Sequence, residues 1–549
     1  MKNSEKTKKR FDPCEFTSRL LFGPVAICVF TLISVATASA GNSSHHPIAF
    51  TESGLVIGST TDGGNEFLGI PYAAPPVGAL RWTPPKPFGS FPGFVFHASQ
   101  FGSACTQPGG IGGENCLFLN VYTPPTESSD RKGNGLPVMF WIHGGGLIDG
   151  SSTPYNPEPL VKKGVIVVTI NYRLGYLGFF AQSAIDAEGH LNGNYGLMDQ
   201  QFALGWVRRN IARFGGDPDR VTIFGESAGG QSVYAQLASP LAAGMFRGAI
   251  SESGSYAEFQ DYFSDIVTLA VGETQGTTAV PSGAAIADSV GCTDQTASCL
   301  RAVPAATMVA AEPFPLYPFV DGTLLTQTMS AAFASGEFNH VPVISGTNHD
   351  EYRLFVALDY DLVGNPILTS AEYDTAVTTL WGPALAPPVL VLYPFASYPN
   401  GGEALGASGT DGVFSCAARI ADQSLAKFVP TYTYEFKDEN APPSQSEFGG
   451  LLTFPLGAYH SAEVPYLFNT GNVFGLPEVL SPKQRLLSDA MVSYWTQFAK
   501  TQDPNSSGEP LWSPYSASTD QFQSFVPPVP MVESNFDSNH QCSTFWDTF

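Results

Sequence analysis

Gly225-Glu226-Ser227-Ala228-Gly229 sets a serine between two glycines, the pattern of a nucleophile held on a sharp strand-to-helix turn. A serine hydroxyl is a weak nucleophile until a base takes its proton, a third group orients that base, and donors stabilise the oxyanion formed on attack. Donors are on offer in His143-Gly144-Gly145-Gly146, where the missing side chains let backbone N–H groups approach a substrate oxygen. The expected oxyanion hole is the N–H groups of Gly145, Gly146 and Ala228. For a serine on such an elbow the partners follow in the order acid, then histidine, so the base is sought among His340, His349, His460 and His540. His340 stands at the foot of a strand, His349 directly precedes the acid candidates, and His540 lies two residues from a cysteine. His460, among small neighbours in Gly457-Ala458-Tyr459-His460-Ser461, is left as the base. Asp350 and Glu351 both follow a strand at residues 341–345, and composition does not choose between them. The chemistry these residues would perform is acyl transfer through an acyl-enzyme.

A bare G-x-S-x-G is common by chance, so the elements around it matter. Residues 138–142 and 165–171 are β-branched, apolar and bounded by glycines, which reads as two buried central strands. Over 198–214 the period changes to that of a helix, with Leu204, Val207, Ile211 and Phe214 on one face before Gly215-Gly216-Asp217-Pro218 ends it. A third strand at 221–224 runs into the serine turn, and a helical stretch continues to about Leu237. Further strands are expected at 246–251, 341–345 and 431–436, a helical insertion at about 260–335, and surface loops at 395–412 and 437–450. Alternation of strand and helix argues for an α/β layer fold with a mostly parallel sheet.

The chain has 549 residues, 43% hydrophobic and 14% charged, enough apolar surface for a large core. Acidic residues outnumber basic ones 49 to 26, a formal charge of -23, which disfavours nucleic acid and anionic lipid as partners. A basic start, an apolar run from Leu20 to Val35 and then Ala38-Ser39-Ala40 read as a secretory signal over residues 1–40, leaving 41–549 as the mature domain. An uncleaved anchor is the competing reading. No later segment reads as long and apolar enough to span a bilayer. Six of the eight cysteines lie beyond residue 40, and spacing suggests Cys105 with Cys116, Cys292 with Cys299, and Cys416 with Cys542, one of 15 connectivities open to six cysteines. Asn42 and Asn505 begin N-x-S acceptor sequences that matter only in a eukaryotic host.

Several ordered blocks, Phe67 to Pro76, Glu114 to Tyr122, His143 to Gly146, Asn171-Tyr172-Arg173, Phe214 to Pro218 and Gly225 to Gly230, together resemble the type-B carboxylesterase/lipase family, the cholinesterase-like α/β-hydrolases, and within it the para-nitrobenzyl-esterase-like members. The resemblance implies an α/β-hydrolase fold with helical cap insertions, and a nucleophile at Ser227, acid at Glu351 and base at His460. Glu351 is followed by Tyr352 where the family has glycine. It implies the same three disulfides, structural ion pairs of Arg81 with Glu114 and Arg173 with Asp199, and a supporting Ser253 that hydrogen-bonds near the acid. Family lipases and cholinesterases carry a longer loop between the first two cysteines, so a short- to medium-chain carboxylesterase without a lid, acting on small-molecule esters with no metal or organic cofactor, is expected. A monomer is the expected state. A lipase or sterol esterase is the alternative, and a catalytically dead cholinesterase-like binding protein the reading from another class.

Overall fold

Odd and even residues of the two apolar runs enter different cores, which is what a strand buried on both faces requires. Val138, Phe140 and Ile142 pack on one side with Ile166, Val168 and Ile170, while Met139, Trp141, Val165 and Val167 pack on the other. The structure, a computed structural model, describes residues 46–125, 135–256, 266–276, 281–310, 312, 316–471 and 479–548. The expected signal segment, Asn42 and parts of the expected insertion lie outside the described residues.

Among these residues one sheet has eleven strands: β1 (Ser59–Thr61), β2 (Gly64–Pro71), β3 (Phe118–Thr123), β4 (Leu136–Ile142), β5 (Ile166–Ile170), β6 (Gly216–Glu226), β7 (Gly248–Glu252), β8 (Val343–Asn348), β9 (Thr431–Phe436), β10 (Phe522–Phe525) and β11 (Met531–Glu533). In space they run β11-β10-β9-β8-β7-β6-β4-β5-β3-β2-β1. Every pair from β5 to β10 is parallel, and the pairs outside that block are antiparallel. This is the α/β-hydrolase layout that the sequence blocks implied. Chain direction across the sheet reverses at β4 and β6, the switch point where α/β sheets open a crevice beyond their carboxyl ends.

Flanking helices include α1 (Tyr195–Asn210), α2 (Ala228–Ala238), α3 (Ser370–Leu392), α4 (Gly401–Gly409), α5 (Cys416–Leu425) and α6 (Pro482–Thr501). Helix α1 gives way to a 3-10 turn, Ile211–Phe214, and stops at Gly215 in the left-handed conformation, φ 90°. Helix α6 opens with a capping box between Ser481 and Gln484, an arrangement that contributes about 1 kcal/mol.

Two expectations are corrected. Residues 395–412 are not a surface loop: they hold α4, capped by Asn400, which accepts from the Glu403 N–H at 2.9 Å, and the start of a buried π-turn at Thr410–Ser415. The glycines there are not breakers but spacers, because a Cβ on Gly412 would lie 2.3 Å from the Trp381 ring and one on Gly409 2.2 Å from the Tyr352 ring. Second, the stretch from Ser370 to Ser397 is long and apolar enough by composition to cross a membrane. In the fold it breaks at Gly382 (φ 71°, ψ 164°) and turns Tyr373, Trp381, Leu385 and Val389 inward.

Candidate active site

β6 delivers Ser227 to the switch point in a strained conformation, φ 60° and ψ -126°, with α2 starting one residue later. A non-glycine residue held there costs about 1–3 kcal/mol, which the surroundings must over-determine. They do so by contact: the Ser227 N–H donates to Glu252 O at 2.9 Å. The flanking glycines are compulsory, since a Cβ on Gly225 would sit 2.5 Å from Ile142 O and one on Gly229 2.0 Å from the same oxygen.

β8 and the turn after it carry the acid candidates. Glu351, fully buried, accepts from Thr347 Oγ1 at 2.8 Å and the Asn348 N–H at 2.7 Å. Its second oxygen lies 2.6 Å from His460 Nδ1, a contact that favours the proton on Nδ1 and a lone pair on Nε2. Asp350 turns elsewhere, to Arg353 at 3.0 Å and the Ala458 N–H at 2.9 Å. His460 Nε2 faces the Glu226 carboxylate at 3.3 Å, and Phe355 and Phe414 lie against its ring at 5.2 and 5.0 Å. Burial alone would lower its pKa, but the carboxylates of Glu226 and then Glu351 outweigh that and raise it from 6.5 to about 9. Burial in turn lifts Glu226 to about 7 against the pull of His460. Behind them burial, then Glu226 and Glu351, push Glu463 up to about 8.

β4 ends in the glycine turn. Gly145 has φ 103°, and a Cβ there would meet Asp149 Oδ1 at 2.1 Å. The N–H groups of Gly145, Gly146 and Ala228 donate to no described residue, so they are open to a ligand oxygen. His143 is no base: burial lowers it to about 4, its ring stacks on Tyr172 at 4.4 Å, and its carbonyl accepts from Tyr172 Oη at 2.7 Å. Its place is to brace the turn.

The Ser227 hydroxyl shares its hydrogen bond with Tyr256 Oη, at 2.8 Å, rather than with His460. Ser253, expected near the acid, does not reach it: its hydroxyl is buried without a hydrogen-bond partner, and Thr347 takes that place. Arg81 pairs with Glu114 at 2.6 Å and also donates to Val303 O. Arg173 pairs with Asp199 at 2.7 Å. Cys105–Cys116, Cys292–Cys299 and Cys416–Cys542 are bonded. Cys416 and Cys542 with Asp547 have ligand-like spacing, but sulfurs joined to each other are not thiolate ligands. The Asn505 amide donates to Asp503 at 2.7 Å and to Trp512 O at 2.9 Å, so it closes its own loop.

The sequence profile of the Carboxylesterase family matches residues 45–545. The chain belongs to that family. It is 34% identical to the mouse acylcarnitine hydrolase, with 85% of each chain covered, and 34% identical to the para-nitrobenzyl esterase of Bacillus subtilis (strain 168), with 84% of this chain and 91% of that one covered. A solved structure of a PNB esterase superposes with TM-score 0.74 at 32% identity, covering 91% of this chain and all of the other. This carboxylesterase is thus a carboxylic ester hydrolase. Three residues beside its elbow serine escaped the sequence reading. Glu226 stood inside the G-x-S-x-G motif and was legible as a charge next to the elbow serine. Glu463 and Tyr256 carry no local signal, because only the folded chain brings them to the site.

Proposed function

We propose that this carboxylesterase hydrolyses short- to medium-chain carboxylic esters with Ser227 as nucleophile, His460 as base and Glu351 as the acid that orients it. The reading rests above all on the 2.6 Å contact between Glu351 and His460 Nδ1 beside a serine held at φ 60°. In the mechanism the Ser227 hydroxyl turns its proton to His460 Nε2, which takes it as Oγ attacks the carbonyl carbon. Glu351 holds the imidazolium. The N–H groups of Gly145, Gly146 and Ala228 receive the oxyanion. His460 returns the proton to the leaving alcohol, and water repeats the sequence on the acyl-enzyme. Ser253 is a packing residue in this reading, and the Arg81 and Arg173 pairs are structural.

The short span between Cys105 and Cys116 supports an open pocket without a lid. Long-chain hydrolysis is the second reading, and it calls for apolar surface at the site entrance; Val363 and Leu368, which follow the acid turn in sequence, are 60% and 56% exposed. We also propose export with cleavage after Ala40. The three disulfides suit an oxidising compartment, and N-terminal sequencing of secreted protein should begin at Gly41.

A p-nitrophenyl ester series from acetate to palmitate tests the assignment. Wild-type turnover should peak at short chains, and Ser227→Ala should lower it by roughly a million-fold. A peak at palmitate would replace the first reading by the second. Equal rates in wild type and variant would remove Ser227 from the mechanism.

A further inference from the structure

Tyr256 Oη, and not His460 Nε2, meets the Ser227 hydroxyl. The Ser227 hydroxyl is engaged by Tyr256 Oη at 2.8 Å, while His460 Nε2 faces the Glu226 carboxylate at 3.3 Å. Tyr256 is held where it is. Its chain leaves β7 through Ser253, whose N–H donates to Gly346 O at 2.9 Å, and Ser255 meets Tyr234 Oη at 3.3 Å. Its ring packs edge-on to Phe414 at 5.4 Å, the same ring that lies against His460. Burial raises its phenol well above the ordinary value, so the O–H stays protonated and able to donate.

We infer that Tyr256 is a catalytic donor to Ser227 Oγ that acts in deacylation rather than acylation. The inference rests on Ser227 being the nucleophile. Only interactions stronger in the transition state than in the ground state accelerate a step. Before acylation the Tyr256 bond to the serine hydroxyl already exists, and the charge Oγ gains as its proton leaves passes into the forming carbon–oxygen bond, so that step draws the smaller gain. In the acyl-enzyme, Oγ is an ester oxygen and a poor acceptor. Water then attacks the acyl carbon, its proton passes to His460 Nε2, the carbon–Oγ bond breaks, and His460 returns that proton to Oγ. As the bond breaks Oγ gains negative charge, and the hydrogen bond from Tyr256 strengthens. Tyr256 gives up no proton in the cycle.

The test is stopped-flow hydrolysis of p-nitrophenyl butyrate, whose good leaving group makes acylation the faster step, by the full chain and by Tyr256→Phe. In the variant the p-nitrophenol burst should keep its wild-type rate within about two-fold. The steady-state rate should fall about ten-fold to a hundred-fold, the worth of a hydrogen bond to a charged oxygen, and quenched samples should carry a butyryl group on Ser227. A variant with unchanged steady-state rate, or one whose burst and steady state fall together, overturns the inference. Titration with a fluorophosphonate separates this from the parent reading. Tyr256→Phe should label one site per chain and Ser227→Ala none. Labelling of Ser227→Ala would sink the nucleophile assignment whatever Tyr256 does.

Discussion

In the proposed mechanism His460 works as a base only when Nε2 is free of its proton, so the groups around it set the pH at which the enzyme runs. Glu226 at 3.3 Å and Glu351 at 2.6 Å both hold the imidazolium form, and together they outweigh burial to bring its pKa to about 9. The sign follows directly: a raised pKa keeps the base protonated at neutral pH, so kcat/KM should climb as pH rises from 7 through 9. Glu226→Gln removes the larger of the two attractions and should shift that limb to lower pH while leaving the Glu351 contact in place. A wild-type limb near 6.5, unmoved in the variant, would show that the Glu226 charge does not reach the base. Glu351→Gln should lower turnover by about ten thousand-fold, since an amide donating to Nδ1 holds the wrong tautomer.

At the scale of elements, glycines act in opposite ways. At 225 and 229 they let β6 turn into α2 against Ile142 O, and that requirement was visible in the motif. Between 401 and 412 the sequence reads as a loop because propensity counts each glycine as a breaker. Here α4 and the turn after it press against Tyr352, Trp381 and Trp546 with no room for a side chain. Gly412→Ala should therefore cost about 1–3 kcal/mol through overpacking, measured by urea unfolding. A stable Gly412→Ala enzyme would mean the two tryptophans have space to give. The strands, by contrast, were legible to within a few residues, because alternation into two cores is written directly in residues 138–142 and 165–171.

For the molecule as a whole, the C-terminal segment is tied to the sheet far from its neighbours in sequence. Cys542 bonds Cys416, 126 residues away. Beside it buried His540 spans Asp411 at 2.6 Å and Glu435 at 2.7 Å. Burial would lower His540, but Asp411 and then Glu435 raise it to about 10. A histidine whose folded pKa is raised stabilises fully below its unfolded value of about 6.5, and that contribution fades as pH climbs through about 10. His540→Phe takes the cation from buried Asp411 and leaves Glu435 with Lys437 at 3.6 Å, and should cost about 3–5 kcal/mol in unfolding experiments at pH 6, with a smaller difference at pH 10. A pH-independent loss would assign His540 a packing role instead.

The sequence by itself determined the layers, the elbow serine, the glycine turn and the order in which acid and base follow, because each rests on spacing within a few residues. It left Asp350 and Glu351 open until family resemblance was added. Only the tertiary structure decided which carboxylate faces His460, that Ser227 meets Tyr256, and that Glu226 and Glu463 crowd His460 with charge. Those are distances between residues as far apart in the sequence as Glu226 and His460, and they exist only after β6, β7, β8 and β9 align their carboxyl ends. Local pattern carries the parts; chain packing brings them within reach of one another.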